Sequence, residues 1–372
     1  MAAASRVIVV GGGIIGCAVA YYLSEAGVKV SVFERGRLGH GASRAAAGML
    51  SPLGEIHGPG PFLDLGLRSL RMYKGLAQEL EERAGVDIEY VESGILRVAA
   101  DEAGALALRS ALEWQNRLGL DSRWLGEDEV RNLEPGLSSN VKGGVLSPRE
   151  AHVNSLRVVE AFAQAAARRG VSFKVGASVT GLLTSGNRVT GVVAEGQKMQ
   201  ADFVVLAGGA WAGSLAGLVG LDLPVRPVRG QALLVHSVPA ILRNVVFGPG
   251  SYLVPQKDGS LLVGATQEEA GFDDRVTAEG VQRLLQRGMA LVPCLKDATF
   301  VTAWSGLRPG SPDGHPIIGP VKEWQGLVLA AGHFRNGVLL APATGQLVRD
   351  YIVEGVTAPL KPLGLERFAA RQ

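Results

Sequence analysis

Three stretches of the sequence hold residue types that could do chemistry. The first is Gly11-Gly12-Gly13-Ile14-Ile15-Gly16. Glycine at 11 permits a tight turn, glycine at 13 lets backbone N–H groups approach a pyrophosphate, and glycine at 16 lets a helix pack on a strand. Glu34, followed by Arg35, lies 18 residues after Gly16, where a ribose-binding carboxylate belongs. An acid there favours a free ribose hydroxyl pair, hence NAD or FAD over NADP. The second stretch, Trp304 to Gly319, surrounds one guanidinium, Arg308, with Gly306 and Pro309. A planar guanidinium matches a carboxylate bidentately; a ligand acid or a protein acid such as Asp313 would each serve. These residues imply an irregular backbone. The third, Gly326 to Pro342, is an apolar run, a glycine turn carrying His333 and Arg335, and a helix expected to begin near Gly337. A helix N-terminus offers unpaired donors and partial positive charge to an anion.

The elements that must position these groups follow from periodicity. Arg6 to Val10 is a β-branched run typical of a parallel strand buried on both faces. Cys17 to Ala26 predicts a helix closed by Gly27, and Val28 to Phe33 a second strand ending at Glu34. Phe62 to Arg83, Ala103 to Leu118, Asn154 to Arg169 and Thr277 to Leu291 predict helices. Strands are expected over Gly94–Ala99, Val171–Val175, Val179–Leu183, Arg188–Ala194 and Ala201–Leu206, and antiparallel ones over Leu223–Val235, Gly250–Pro255 and Ser260–Gly264. Gly41 to Leu50 is a small-residue loop against which a flat ligand could lie.

Composition narrows the class. The chain has 372 residues, 47% apolar and 19% charged, enough for a large core in about two domains. Lys+Arg 37 against Asp+Glu 35 gives no concentrated basic surface, so a nucleic-acid partner is not expected. The 51 glycines, near twice the usual ~7%, are dispersed and read as turns and close backbone approaches. Cys17 and Cys294 make no disulfide framework, and His40, His57, His152, His236 and His315 show no ligand spacing, so no metal is expected. No run is long and apolar enough for a membrane span, and the opening residues lead directly into a strand with no leader pattern. A soluble, cytoplasmic protein is expected.

The strings GGGIIGCAVAYYL, GASRAAAGML and the two carboxy-terminal blocks occur in order over nearly the whole chain. Together they resemble the FAD-dependent amine and amino-acid oxidases of the D-amino-acid oxidase superfamily, most of all its glycine oxidases of thiamine biosynthesis. The resemblance implies an α/β fold: a Rossmann-like FAD-binding domain from discontinuous segments (1–85, 150–220, 303–372) and a substrate domain with a mainly antiparallel sheet (86–149, 221–302). It implies noncovalent FAD held by Gly11, Gly13, Ile14, Ile15 and Gly16, by Glu34 and Arg35, and by Ser43, Arg44, Ala46, Ala47, Gly48 and Met49. Val179, Gly208 and Gly306 would complete that site with His333, Arg335, Asn336, Gly337, Val338 and Leu339. Arg308 and Tyr252 would act on the substrate carboxylate, with Arg335 and Met49 also in the substrate pocket. The implied reaction is hydride transfer from a small amino acid or amine to flavin. The imine formed then gives keto acid and ammonia, and molecular oxygen is reduced to hydrogen peroxide. A homo-oligomer, a tetramer by analogy, is also implied. Leu261-Leu262-Val263-Gly264 lacks the lysine of sarcosine oxidase relatives, and Ser305-Gly306-Leu307 lacks their flavin-linking cysteine. A D-amino-acid dehydrogenase, a sarcosine-type secondary-amine oxidase and a noncatalytic flavin-binding scaffold are the alternatives.

Overall fold

The computed structural model describes residues 5–56, 58–237 and 241–371; Met1–Ala4 and His57 lie outside them. Its first layer is a six-stranded sheet ordered Ile317–Pro320, Leu327–Ala331, Phe203–Leu206, Arg6–Val10, Lys29–Glu34, Ser172–Val175. All neighbours run parallel except Ile317–Pro320. The β-branched run at the centre explains the burial. Val7 and Val9 pack into a core shared with the helices Ile14–Glu25, Ser155–Arg168 and Gly337–Glu354. Ile8 and Val10 face the opposite core, shared with a small antiparallel sheet of Val179–Ser185, Arg188–Ala194 and Gln197–Gln200. Alternate side chains of one strand thus serve two cores, as a two-sided parallel sheet requires.

A second, eight-stranded sheet runs Thr299–Gly310, Arg226–His236, Ser260–Gly264, Ser251–Pro255, Val245–Gly248, Ile95–Val98, Gly144–Ser147, Arg123–Leu125. It is antiparallel apart from the pairing of Val245–Gly248 with Ile95–Val98. The helix Ala278–Leu291 packs on one of its faces through Leu284 and Leu291.

Several expectations are corrected here. The first helix spans Ile14–Glu25, so it begins inside the glycine motif. Gln197–Gln200 and Val245–Gly248 are strands that periodicity did not mark. The segment around Arg308 is not irregular: Thr299–Gly310 is one continuous strand paired along Arg226–His236. It tolerates Pro309 because it is the outer strand, with no further partner needing that N–H. A division of the chain at 303 therefore falls within a strand of the eight-stranded sheet. No helix of the described residues is long and apolar enough to cross a membrane.

Gly11 fixes the junction of the first strand with its helix. Its φ is +114°, and a Cβ there would sit 2.3 Å from the Ala207 carbonyl oxygen. Neither the turn nor the neighbouring strand end can move without breaking the parallel pair. We expect Gly11→Ala to destabilise the apoprotein by at least ~2 kcal/mol in urea denaturation; a wild-type midpoint would contradict this account.

Candidate active site

A cavity of about 670 Å³ runs from the carboxyl ends of the parallel strands to the inner face of the eight-stranded sheet, within the size range of cofactor sites. At one end, Glu34 accepts from the N–H groups of Gly12 and Gly36, both at 2.8 Å and one on each carboxylate oxygen. Each oxygen retains acceptor capacity for a ribose hydroxyl. The Arg35 guanidinium lies over the Trp211 ring, 3.6 Å from its centroid, forming a flat cationic wall. Gly13, Ile14 and Ile15 bring the start of the first helix to the cavity. Ser43 Oγ accepts from the Ile14 N–H at 3.0 Å, joining that helix start to the small-residue loop. The loop is tied to the other sheet as well: a Cβ on Gly306 would meet Ala45 Cβ at 2.4 Å, so only glycine lets the strand pass there.

At the other end the eight-stranded sheet presents Arg308. Its guanidinium lies flat on Gly230 of the adjacent strand, where a Cβ would stand 1.9 Å from Nη1. Nη1 donates to the Thr266 carbonyl at 3.1 Å, and the guanidinium also bonds the Tyr252 hydroxyl. Asp313 is not its partner, for that carboxylate pairs with Arg367 at 2.8 Å. Burial pulls Arg308 below its usual value, opposed by Tyr252; as a guanidinium it stays charged. Burial pushes the Tyr252 hydroxyl up, opposed by Arg308 and Arg335, so it is a neutral donor. The Tyr252 ring crosses Gly264, where a Cβ would approach to 2.4 Å. A half-buried cation and a neutral hydroxyl side by side suit a ligand carboxylate.

Between the two ends, Arg335 pairs with Glu55 at 2.9 Å. His333 is buried with Nε2 3.0 Å from Thr344 Oγ1, and burial drops its pKa to about 3, so the ring is neutral. Asn336, Gly337 and Val338 bring the start of the Gly337–Glu354 helix to the cavity wall.

The cavity gathers nearly all the residues singled out from sequence, including Met49, Ala46, Ala47, Gly48, Val179, Gly208 and Gly306. It does not gather Gly16, Arg44 or Leu339. Gly16 packs against the Gly11 carbonyl instead, Arg44 is exposed, and Leu339 points into the core. Sequence reasoning missed Gly230, Gly264, Glu55 and Trp211, and the Thr266 carbonyl as a partner of Arg308. Glycine within an apolar strand signals a close approach and could have flagged the first two. A carbonyl acceptor or a lone acid leaves no such trace. Neither cysteine lines the cavity. Among the described residues no group of three or more His, Cys, Asp or Glu could hold a metal ion.

A glycine-rich turn beside the Glu34 carboxylate, opening onto an arginine-bearing antiparallel sheet, is the construction of a two-sheet dinucleotide-dependent oxidoreductase. Residues 6–351 match the FAD dependent oxidoreductase family, and the chain belongs to it. It is 39% identical over 369 residues to glycine oxidase of Geobacillus kaustophilus, covering 98% of this chain and 97% of that one. The crystal structure of glycine oxidase from Geobacillus kaustophilus superposes with a TM-score of 0.94 at 38% identity, over 98% of this chain and 99% of that one. The bifunctional protein ThiO/ThiG of Synechocystis sp. is 38% identical over 367 residues, 97% of this chain but 53% of that protein. The chain is thus an FAD-dependent amine or amino-acid oxidase of the glycine-oxidase type. The glycine turn, the Glu34 carboxylate and the Arg35–Trp211 wall fit FAD.

Two outcomes follow from this geometry. Gly230→Ala should displace the Arg308 guanidinium and weaken a small carboxylate probe such as glycolate roughly 10–100-fold, the worth of a charge-assisted hydrogen bond, with FAD still bound. Equal glycolate affinity by flavin difference spectra would refute it. His333 titrates near 6.5 when unfolded and about 3 when folded, so the unfolded chain binds the extra proton between these values. Stability should therefore fall as pH drops through that window, by up to ~1.4 kcal/mol per pH unit. The slope should be shallower in His333→Asn, as read from denaturation midpoints.

Proposed function

We propose that this protein oxidises glycine and other small amines or D-amino acids. The observation that carries the reading is the Arg308 guanidinium, half-buried on bare Gly230 and beside the Tyr252 hydroxyl, at the end of the cavity away from Glu34. FAD held in this cavity would supply a two-electron acceptor: the α-carbon hydrogen would leave as a hydride, the substrate nitrogen would give up a second proton, and the two electrons and two protons together would reduce molecular oxygen to hydrogen peroxide. Arg308 grips the substrate carboxylate and Tyr252 donates its hydroxyl to it. The α-carbon is thereby held at a fixed distance from that anchor, which turns a bimolecular encounter into an oriented one. Met49 and Phe247 line the cavity with apolar surface and exclude water. The Arg335–Glu55 pair supplies a charged group near the helix start. With His333 neutral and buried, the proton of the substrate ammonium is released to solvent before the reaction. The imine produced hydrolyses to keto acid and ammonia. The relative named ThiO/ThiG supports a use of the imine in thiazole formation for thiamine. On the same reading the enzyme works in the cytoplasm as a homo-oligomer, a tetramer, with its FAD held noncovalently.

The experiment is anaerobic mixing of FAD-loaded protein with glycine, sarcosine and D-alanine, followed at the flavin band, with peroxide assayed in air. Bleaching and peroxide are expected with at least one of the three. Arg308→Leu should lower substrate affinity roughly 10–100-fold while retaining FAD. Bound FAD that no amine bleaches would defeat the proposal.

A further inference from the structure

The Gly337–Glu354 helix carries Pro342 near its start. In an unbroken helix the N–H of residue 342 would donate to the Val338 carbonyl, but proline has no N–H. The gap falls at Val338, which lines the FAD-binding cavity. It is filled from the neighbouring helix, Pro61–Ala84: the Tyr73 hydroxyl donates to the Val338 carbonyl at 2.5 Å. One rung further, Ser69 Oγ donates to the Leu339 carbonyl at 2.6 Å and accepts from the Ala343 N–H at 3.3 Å. A hydroxyl is thus inserted between the two ends of what would be an ordinary helical hydrogen bond. Both side chains are fully buried, and neither lines the cavity.

We propose that Tyr73 and Ser69 are positioning residues that complete the interrupted first turn of this helix and thereby set the positive field it presents to bound FAD. This rests on FAD lying against that helix start. An unpaired carbonyl one turn from the N-terminus would place uncompensated negative charge beside the donors that stabilise an anionic flavin. The two hydroxyls are not equivalent. Without Ser69 the Ala343 N–H can close directly on the Leu339 carbonyl. Without Tyr73 nothing replaces the lost donor while Pro342 remains.

The test uses FAD-loaded protein and sulfite, an inorganic probe whose flavin adduct is anionic and colourless. Its dissociation constant is read from the flavin band, beside the dissociation constant of FAD itself. Tyr73→Phe should weaken sulfite roughly 2–5-fold, the range of a helix-terminus charge interaction. Ser69→Ala should change it less than about twofold on the same scale. Adding Pro342→Ala to Tyr73→Phe restores an N–H for Val338 and should return sulfite affinity to that of Pro342→Ala alone. A loss of packing alone would not be rescued this way. Unchanged affinity in Tyr73→Phe, or no recovery in the double variant, overturns the proposal. If Tyr73→Phe does not fold, a folded double variant with Pro342→Ala-like sulfite affinity supports it, and one that also fails to fold overturns it. Wild-type protein that takes up no FAD overturns this inference and the proposed function together. Wild type that is bleached by amines while Tyr73→Phe matches it in sulfite affinity overturns this inference alone.

Discussion

A guanidinium partly withdrawn from water favours an anion beside it. Arg308 is half-buried in the cavity wall, donating to one backbone carbonyl and lying beside the Tyr252 phenol, with the Glu55 carboxylate also favouring its charge. Burial without full charge compensation is unfavourable, and the surrounding structure is arranged to hold the group there nonetheless. Gly230 gives it a flat seat. Thr266, whose carbonyl it donates to, is fixed in turn: its N–H bonds the Gln231 carbonyl and its hydroxyl accepts from the Gln231 N–H at 2.9 Å. Gln231 then joins Glu268 and Thr277, and Glu268 is paired with Arg229. Arg229 and Glu268 thus neutralise each other, while the Arg308 guanidinium faces the cavity.

The same separation of tasks holds across the cavity. Glu34 is tied by two backbone N–H groups and cannot swing away from the glycine turn. His333 is kept neutral by burial, which leaves the charge near the helix start to Arg335 and Glu55. Further back, Arg97 and Glu150 form a buried pair at 2.6 Å that also bonds Ser51, bracing the turn that carries Glu55. These groups hold position and leave the redox chemistry to the cofactor.

The nucleotide half was legible in sequence because its physics is local: a β-branched run, three glycines and an acid lie within 34 residues of the start. The centre of the six-stranded sheet could be anticipated because Arg6–Val10, Phe203–Leu206 and Leu327–Ala331 are mostly continuous apolar runs, whereas its edge strand Ile317–Pro320 was not marked. The substrate half was harder to see. Gly306 and Pro309 suggested a bent backbone, yet their context is an edge strand that needs neither a Cβ at 306 nor an N–H at 309. Gly230 and Gly264 have meaning only through the side chains lying on them, contributed from 78 residues later and 12 residues earlier in the chain (308 − 230; 264 − 252). Arg44 and Leu339 sat in the right motifs but on the wrong face, since local sequence leaves unstated which way a short helix or a first turn is rotated.

Gly306 and Arg308 lie two apart on one strand and so share a face. One presses on Ala45 beside the glycine motif, and the other lies on Gly230 at the far wall of the cavity. A slip of a single residue in that strand would turn both away together. The geometry at both ends of the cavity therefore depends on one alignment of this strand, so an error in its pairing would disturb the two together.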